Sequence, residues 1–148
     1  IEYILSTEES IQTAIIDSDL VIGSVYVVGK EAPKVVSKKM LTSMTPGTVM
    51  VDVSIDQGGS FESSRPTTHD NPTFLESDIV HYCVTNMPGA VPLTATEALN
   101  KVTVSYIEDL ANKGIEKALS EDEHLRNGLN IQNGNITHQG VKDSLERF

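Results

Sequence analysis

Apolar residues along this chain follow two different rhythms, and the rhythm changes near residue 92. Before that point the apolar positions come in short compact runs. Leu20-Val21-Ile22 closes at Gly23 and predicts a strand buried on both faces, as does the run from 79 to 84. Residues 48–53, Thr-Val-Met-Val-Asp-Val, predict a third strand that stops before Gly58-Gly59, and residues 3–5 read as a short strand end. Between the runs, Ser6 with Glu9 three residues later suggests a capping box for a helix to about Asp17. Ser37 is placed to cap a short helix to Met44, and Pro46-Gly47 marks a turn. The polar stretch 60–71, with Pro66, reads as an irregular loop.

After Pro92 the period becomes helical. Ala95, Leu99, Val102, Tyr106 and Leu110 recur along 93–111, and Gly114 is a natural stop. Two shorter helical stretches follow, at 115–119 and 121–125. Asn133-Gly134 between Ile131 and Ile136 signals a two-residue hairpin, and a last helix is expected over 139–147. Strands alternating with crossovers imply an α/β fold with a parallel, doubly wound sheet over 1–92. Residues 93–148 then form a long linking helix and a small, mostly helical part of a second domain.

Composition narrows the reading. The 148 residues are 39% hydrophobic with no Trp, which suits an aliphatic core and excludes disorder. A formal charge of -10 leaves no basic stripe for nucleic acid. No apolar run approaches the ~18 residues that would cross a bilayer. The single cysteine, Cys83, cannot form an internal disulfide, which points to a reducing, cytoplasmic setting. The start on Ile1-Glu2-Tyr3, without Met or a signal-peptide pattern, reads as though cut from a longer chain.

Ligands of open parallel sheets bind beyond the carboxyl ends of the strands. The strand ends here are Gly23-Ser24-Val25-Tyr26, Ser54-Ile55-Asp56-Gln57-Gly58-Gly59 and Thr85-Asn86-Met87-Pro88-Gly89. Each joins residues that permit close backbone approach to side chains able to touch a ligand, so together they suggest a nucleotide crevice. None of the ten glycines forms G-x-G-x-x-G and there is no P-loop, so the pyrophosphate-binding half of a Rossmann-type domain is missing. The pieces present match the second half, beside the nicotinamide. Asp56 either projects its carboxylate into the crevice or stabilises the turn before Gly58. Asn86 either pairs with a carboxamide or caps its turn. His69 reads as an exposed loop residue, His81 as a sheet-face residue satisfied by its neighbours, and Cys83 as packing. Met87 has the best claim to ligand contact among the four methionines.

Four segments carry a resemblance to a known family: AIIDSDLVIGSVY (14–26), Ala32-Pro33-Lys34-Val35-Val36, VDVSIDQGGSFESSRPTTH (51–69) and HYCVTNMPGAVP (81–92). They resemble alanine dehydrogenase across essentially the whole chain. The resemblance implies the C-terminal half of an NAD-binding domain over 1–92, and the returning part of the substrate domain over 93–148. It implies NAD as cofactor, Asp56 as a catalytic residue, and cofactor-contacting positions at Ser6, Val25, Tyr26, Val53, Ser54, Ile55, Asp56, Arg65, Val84, Thr85, Asn86 and Met87. The implied reaction is reversible oxidative deamination of L-alanine to pyruvate and ammonium by a homohexameric enzyme, with this chain alone inactive. The remaining catalytic groups of that family, a His, an Arg and a Lys, lie in an earlier part of the chain not present here. Val28 stands where the family often has Pro. Asp109 and Lys113 replace a Glu and a His proposed as metal-binding in some members, so no metal is expected. The NAD-binding subunit of proton-translocating transhydrogenase shares the segment around Pro33 but departs at Ile55-Asp56-Gln57 and in 64–68. It is the alternative reading, along with a non-catalytic assembly module.

Overall fold

The computed structural model describes residues 1–145. They form two compact units, Ile1–Met87 and the segment from Pro88 onward. The divide falls a few residues before the change of hydrophobic rhythm at 92, because Met87–Ala90 is a short 3-10 turn that leads into the long helix.

The first unit contains helix α1 (Glu8–Ile15), strand β1 (Leu20–Gly23), helix α2 (Lys38–Leu41), strand β2 (Val49–Asp52), a 3-10 turn at Ile55–Gln57, and strands β3 (Thr73–Glu76) and β4 (Ile79–Tyr82). The strands assemble in the order β1-β2-β4-β3. β1, β2 and β4 are parallel, with Val21 opposite Met50 and Met50 opposite His81. The expected parallel sheet is therefore present, with one addition. β3 pairs antiparallel with β4 through a tight turn at Ser77-Asp78, whose φ angles of 53° and 62° suit the twist of a two-residue hairpin. This strand lies just beyond the stretch read as a loop.

Three local expectations are corrected. Residues 3–5 form no strand. The cap of α1 is Thr7 rather than Ser6: its hydroxyl accepts from the Ser10 amide at 3.1 Å, and the Ser10 hydroxyl accepts from the Thr7 amide at 2.9 Å. Serine at the third helical position thus takes the part expected of Glu9, because its short side chain reaches back without strain. Ser37 precedes α2 but makes no side-chain cap. The Lys38 amide donates instead to the Glu62 carboxylate at 2.7 Å.

The sheet is buried on one face only. Met50, Ile79, Ile15, Met40, Leu41, Met44, Val36 and Phe61 form the core, joining α1, α2 and the 61 loop to that face. On the opposite face Leu20, Ile22 and Leu75 are 54%, 61% and 67% exposed. The expectation of strands buried on both faces fails here because both helices of this unit cover the same face. An unbroken Leu-Val-Ile run does not reveal which side lacks a cover. Gly23, at the end of β1, is required by close approach. A Cβ there would lie 2.1 Å from the Ser60 hydroxyl and 2.6 Å from the Phe61 ring.

The second unit comprises α3 (Pro92–Lys113), α4 (Ile115–Glu121), α5 (Glu123–Asn127), a hairpin of β5 (Ile131–Gln132) and β6 (Asn135–Ile136), and α6 (Gln139–Leu145). Pro92 sits in the first turn of α3, where its missing amide costs nothing, and Gly114 ends the helix with φ 77°. Lys113 bridges Asp109 at 3.1 Å and Glu121 at 3.3 Å, so its ammonium joins α3 to α4. Asn133 and Gly134, at φ 50° and 78°, make the expected turn. The expected last helix is present to Leu145, and its extension to Arg147 lies outside the described residues.

Candidate functional site

The parallel register brings the carboxyl ends of β1, β2 and β4 to one edge of the sheet. Beyond that edge the backbone stays knitted together. The Val53 amide donates to the Gly23 carbonyl at 2.8 Å, and the Ser54 hydroxyl donates to the Val25 carbonyl at 2.8 Å. Thr67 extends the array beside β4: its amide donates to the Cys83 carbonyl at 2.9 Å, and its own carbonyl accepts from Thr85 at 3.2 Å. His69 is exposed, and its Nε2 donates to the Asn86 carbonyl at 2.6 Å. All three strand-end loops are thus tied to a neighbouring loop or strand.

The expected site residues occupy different places on this edge. Tyr26, Val53, Asp56, Thr85 and Asn86 are exposed there, and Val25 and Met87 are half-buried. Ser54, Ile55 and Val84 are buried, so their side chains hold the loops from beneath and only their backbone can meet a ligand. Arg65 is exposed but committed, its guanidinium lying 4.1 Å from the centre of the Phe74 ring. Ser6 lies elsewhere in the unit, in a cleft it shares with Ile11, Lys34, Val35, Ser37 and Met40. Asp56 rides on the 3-10 turn anchored by buried Ile55, and Gly58, at φ 90°, reverses the chain after it. Among the described residues no hydrogen bond or ion pair engages the Asp56 carboxylate.

Sequence reasoning passed over the group that organises this loop. Asp52, the last residue of β2, has no solvent exposure. Its carboxylate accepts from the amides of Ser54 (3.1 Å), Ser60 (2.8 Å) and Phe61 (3.2 Å). It also accepts from the hydroxyls of Ser60 (3.1 Å) and Ser64 (2.5 Å). A buried carboxylate is tolerable only when its lone pairs are taken up in this way. The clue was an aspartate inside Val-Met-Val-Asp-Val, since Asp is depleted from strands and needs a reason to be there.

The reading of His81 as satisfied by its neighbours agrees with its surroundings. It is fully buried, with its Nδ1 donating to the Ile79 carbonyl at 3.1 Å and its Nε2 accepting from the Ser63 hydroxyl at 2.7 Å. The Phe74 ring stacks on it at 4.9 Å. Burial pushes the imidazole below its ordinary value of 6.5, so the folded chain holds it neutral. Protons therefore bind the unfolded chain first as pH falls below about 6.5, and stability declines toward the lower folded value. The urea midpoint of the full-length protein should drop between pH 7.5 and 5.5, and His81→Gln should flatten that slope. An unchanged slope would refute this account. Burial also raises the Cys83 thiol, so it packs beside Ser64 as a thiol rather than a thiolate.

Similarity to known proteins agrees with this geometry. The family model "Alanine dehydrogenase/PNT, C-terminal domain" matches residues 1–139. An alanine dehydrogenase of Halomonas elongata is 48% identical over 142 residues, covering 96% of this chain and 38% of the relative. One of Mycolicibacterium smegmatis is 47% identical over 146 residues, covering 99% of this chain and 39% of the relative. Among solved structures, an L-alanine dehydrogenase superposes with a TM-score of 0.77 at 45% identity, covering 96% of this chain and 39% of that one. A transhydrogenase from Sinorhizobium meliloti shares the fold with a TM-score of 0.66 at 21% identity, over 89% of this chain and 35% of that one. The chain thus spans less than two fifths of the length of these relatives. On the match across 1–139, this chain belongs to the alanine dehydrogenase/PNT C-terminal domain family.

Proposed function

We propose that the intact protein is an NAD-dependent alanine dehydrogenase, and that this chain contributes its nicotinamide-side loops and one catalytic carboxylate, Asp56. The observation that carries the reading is an exposed carboxylate on a loop pinned at the common edge of three parallel strands, in a chain of this family. Residues 1–92 are then the second half of the NAD-binding domain, and the helical segment after them returns to the substrate domain.

The side chains present suit the cofactor. Val25, Tyr26 and Val53 offer apolar surface for a flat ring, and the Asn86 side chain has both the donor and the acceptor that a carboxamide needs. Ser54, Ile55, Val84, Thr85 and Met87 complete the wall through backbone or side chain, with Arg65 at its flank and Ser6 in the cleft before α1. NAD, when bound, supplies the hydride acceptor for the oxidation of L-alanine. Asp56 accepts a hydrogen bond from the water or ammonia exchanged at the substrate carbon, and its negative charge stabilises the cationic character that develops there. A His for proton transfer and an Arg and a Lys for the substrate come from the remainder of the intact protein. Asp109 and Lys113 form an ion pair, 3.1 Å apart. No described helix is long and apolar enough to cross a membrane. The intact enzyme is proposed to be a cytoplasmic homohexamer.

The test is alanine-dependent reduction of NAD by the full-length protein without a membrane partner, which should produce pyruvate and ammonium in equal amounts. Reduction of NAD that requires a membrane fraction and NADPH as the hydride donor, and no alanine, would instead identify a transhydrogenase. The isolated 148 residues should show no turnover and bind NAD only weakly by calorimetry. Sub-micromolar binding, about -8 kcal/mol or better, would contradict the assignment of most binding energy to the rest of the protein.

A further inference from the structure

Segment 32–35 runs beside segment 57–60, and the hydrogen bonds between them show a gap filled by a side chain. The Ala32 amide donates to the Gln57 carbonyl at 2.8 Å, and the Val35 amide donates to the Ser60 carbonyl at 2.8 Å. Between these two bonds the carbonyls of Gly58 and Gly59 also need donors. Pro33 has no amide hydrogen to give. The Lys34 ammonium donates to both, to Gly59 at 2.7 Å and to Gly58. Gly58 and Gly59 sit at φ 90° and 80°, and their amides donate back to the Ile55 and Ser54 carbonyls, so it is the two glycine carbonyls of this double left-handed turn that face segment 32–35. Without Lys34 the turn keeps its own amide bonds, the flanking bonds from Ala32 and Val35 and the Asp52 anchor at Ser60 and Phe61, but its two outward carbonyls lose the donor that ties them to segment 32–35.

We propose that Lys34 is a positioning residue for Asp56: its ammonium substitutes for the amide that proline removes, and so fixes the turn two residues after the catalytic carboxylate. The inference rests on the proposed dehydrogenase reading. Lys34 is exposed as a residue and outside the apolar core, so its removal loosens the turn without unfolding the unit. A displacement of about 1 Å at a reacting group is enough to cost on the order of 100-fold in rate.

The test uses the full-length protein with Lys34→Met and Lys34→Arg. Lys34→Met should lower kcat by about 10- to 100-fold with the KM for NAD changed less than about threefold. Lys34→Arg, whose guanidinium can still reach two carbonyls, should recover most of the loss. Lys34→Met added to Asp56→Asn should cause little further loss, because it acts through that carboxylate. Without cofactor, the amides of Gly59 and Ser60 should exchange with deuterium faster in Lys34→Met while the thermal midpoint stays near that of the parent. Unchanged exchange, or a kcat within twofold of the parent, overturns the proposal, as does full additivity with Asp56→Asn. If the parent protein itself oxidises no alanine, the dehydrogenase reading fails, and the exchange experiment still decides whether Lys34 holds the turn.

Discussion

Asp56→Asn in the full-length protein is expected to lower kcat by about 10²- to 10⁴-fold while the affinity for NADH changes by no more than about threefold. The substitution preserves size, and the geometry around it gives no structural reason for a large effect. Asp56 is exposed on the turn Ile55–Gln57, and that turn is held by buried Ile55 and by Gly58 rather than by the Asp56 carboxylate. What disappears is a negative charge and a proton acceptor at the lip of the crevice. Those matter only where charge and protons move, so the loss should fall on kcat rather than on cofactor binding. Steady-state kinetics combined with NADH fluorescence titration separates the two. Turnover within tenfold of the parent would remove Asp56 from the catalytic groups.

Asp52→Ala should be the most destabilising single change in the loop region, costing at least about 3 kcal/mol. It would orphan three buried amides, those of Ser54, Ser60 and Phe61, along with the hydroxyls of Ser60 and Ser64. Each stranded buried donor costs about 1–3 kcal/mol, and only part of that can be recovered by water entering the gap. Asparagine is no remedy. Oδ1 takes the Ser54 amide while Oδ2 takes those of Ser60 and Phe61, so either orientation sets an NH₂ group against a backbone N–H. Both variants should therefore unfold at lower urea than the parent, with alanine the worse. A midpoint shift below about 1 kcal/mol for Asp52→Ala would show that the network contributes far less than its burial implies.

The contrast between these two aspartates shows what a linear reading can see. Asp56 stands out because it follows a strand and precedes two glycines, the local pattern of a residue displayed at a sheet edge. Asp52 has neither mark, sitting inside an apolar run whose period says only that it shares a face with Met50. Strand β3 was illegible for another reason. It has four residues, and the Ser77-Asp78 turn that pairs it with β4 lacks the glycine that usually signals such a hairpin. For Arg65 only the family resemblance implies a cofactor-contacting position, and its place over Phe74 depends on a strand pairing that sets Phe74 opposite His81.

By itself the sequence determined the α/β class, the parallel character of the sheet, the long helix, and the three loops that carry candidate chemistry. These follow from local periodicity, glycine placement and motif, and each can be read within a window of a dozen residues. The tertiary structure decided what holds those loops: Asp52 beneath residues 54–64, and Lys34 against carbonyls 24 and 25 residues away. It also decided which face of the sheet is buried, since that depends on where α1 and α2 return rather than on the strands themselves. Such bonds join side chains to backbone groups distant in the chain, and no periodic signal records the partner. A buried charge or an exposed lysine takes on its role only once the fold has brought its donors or acceptors within about 3 Å.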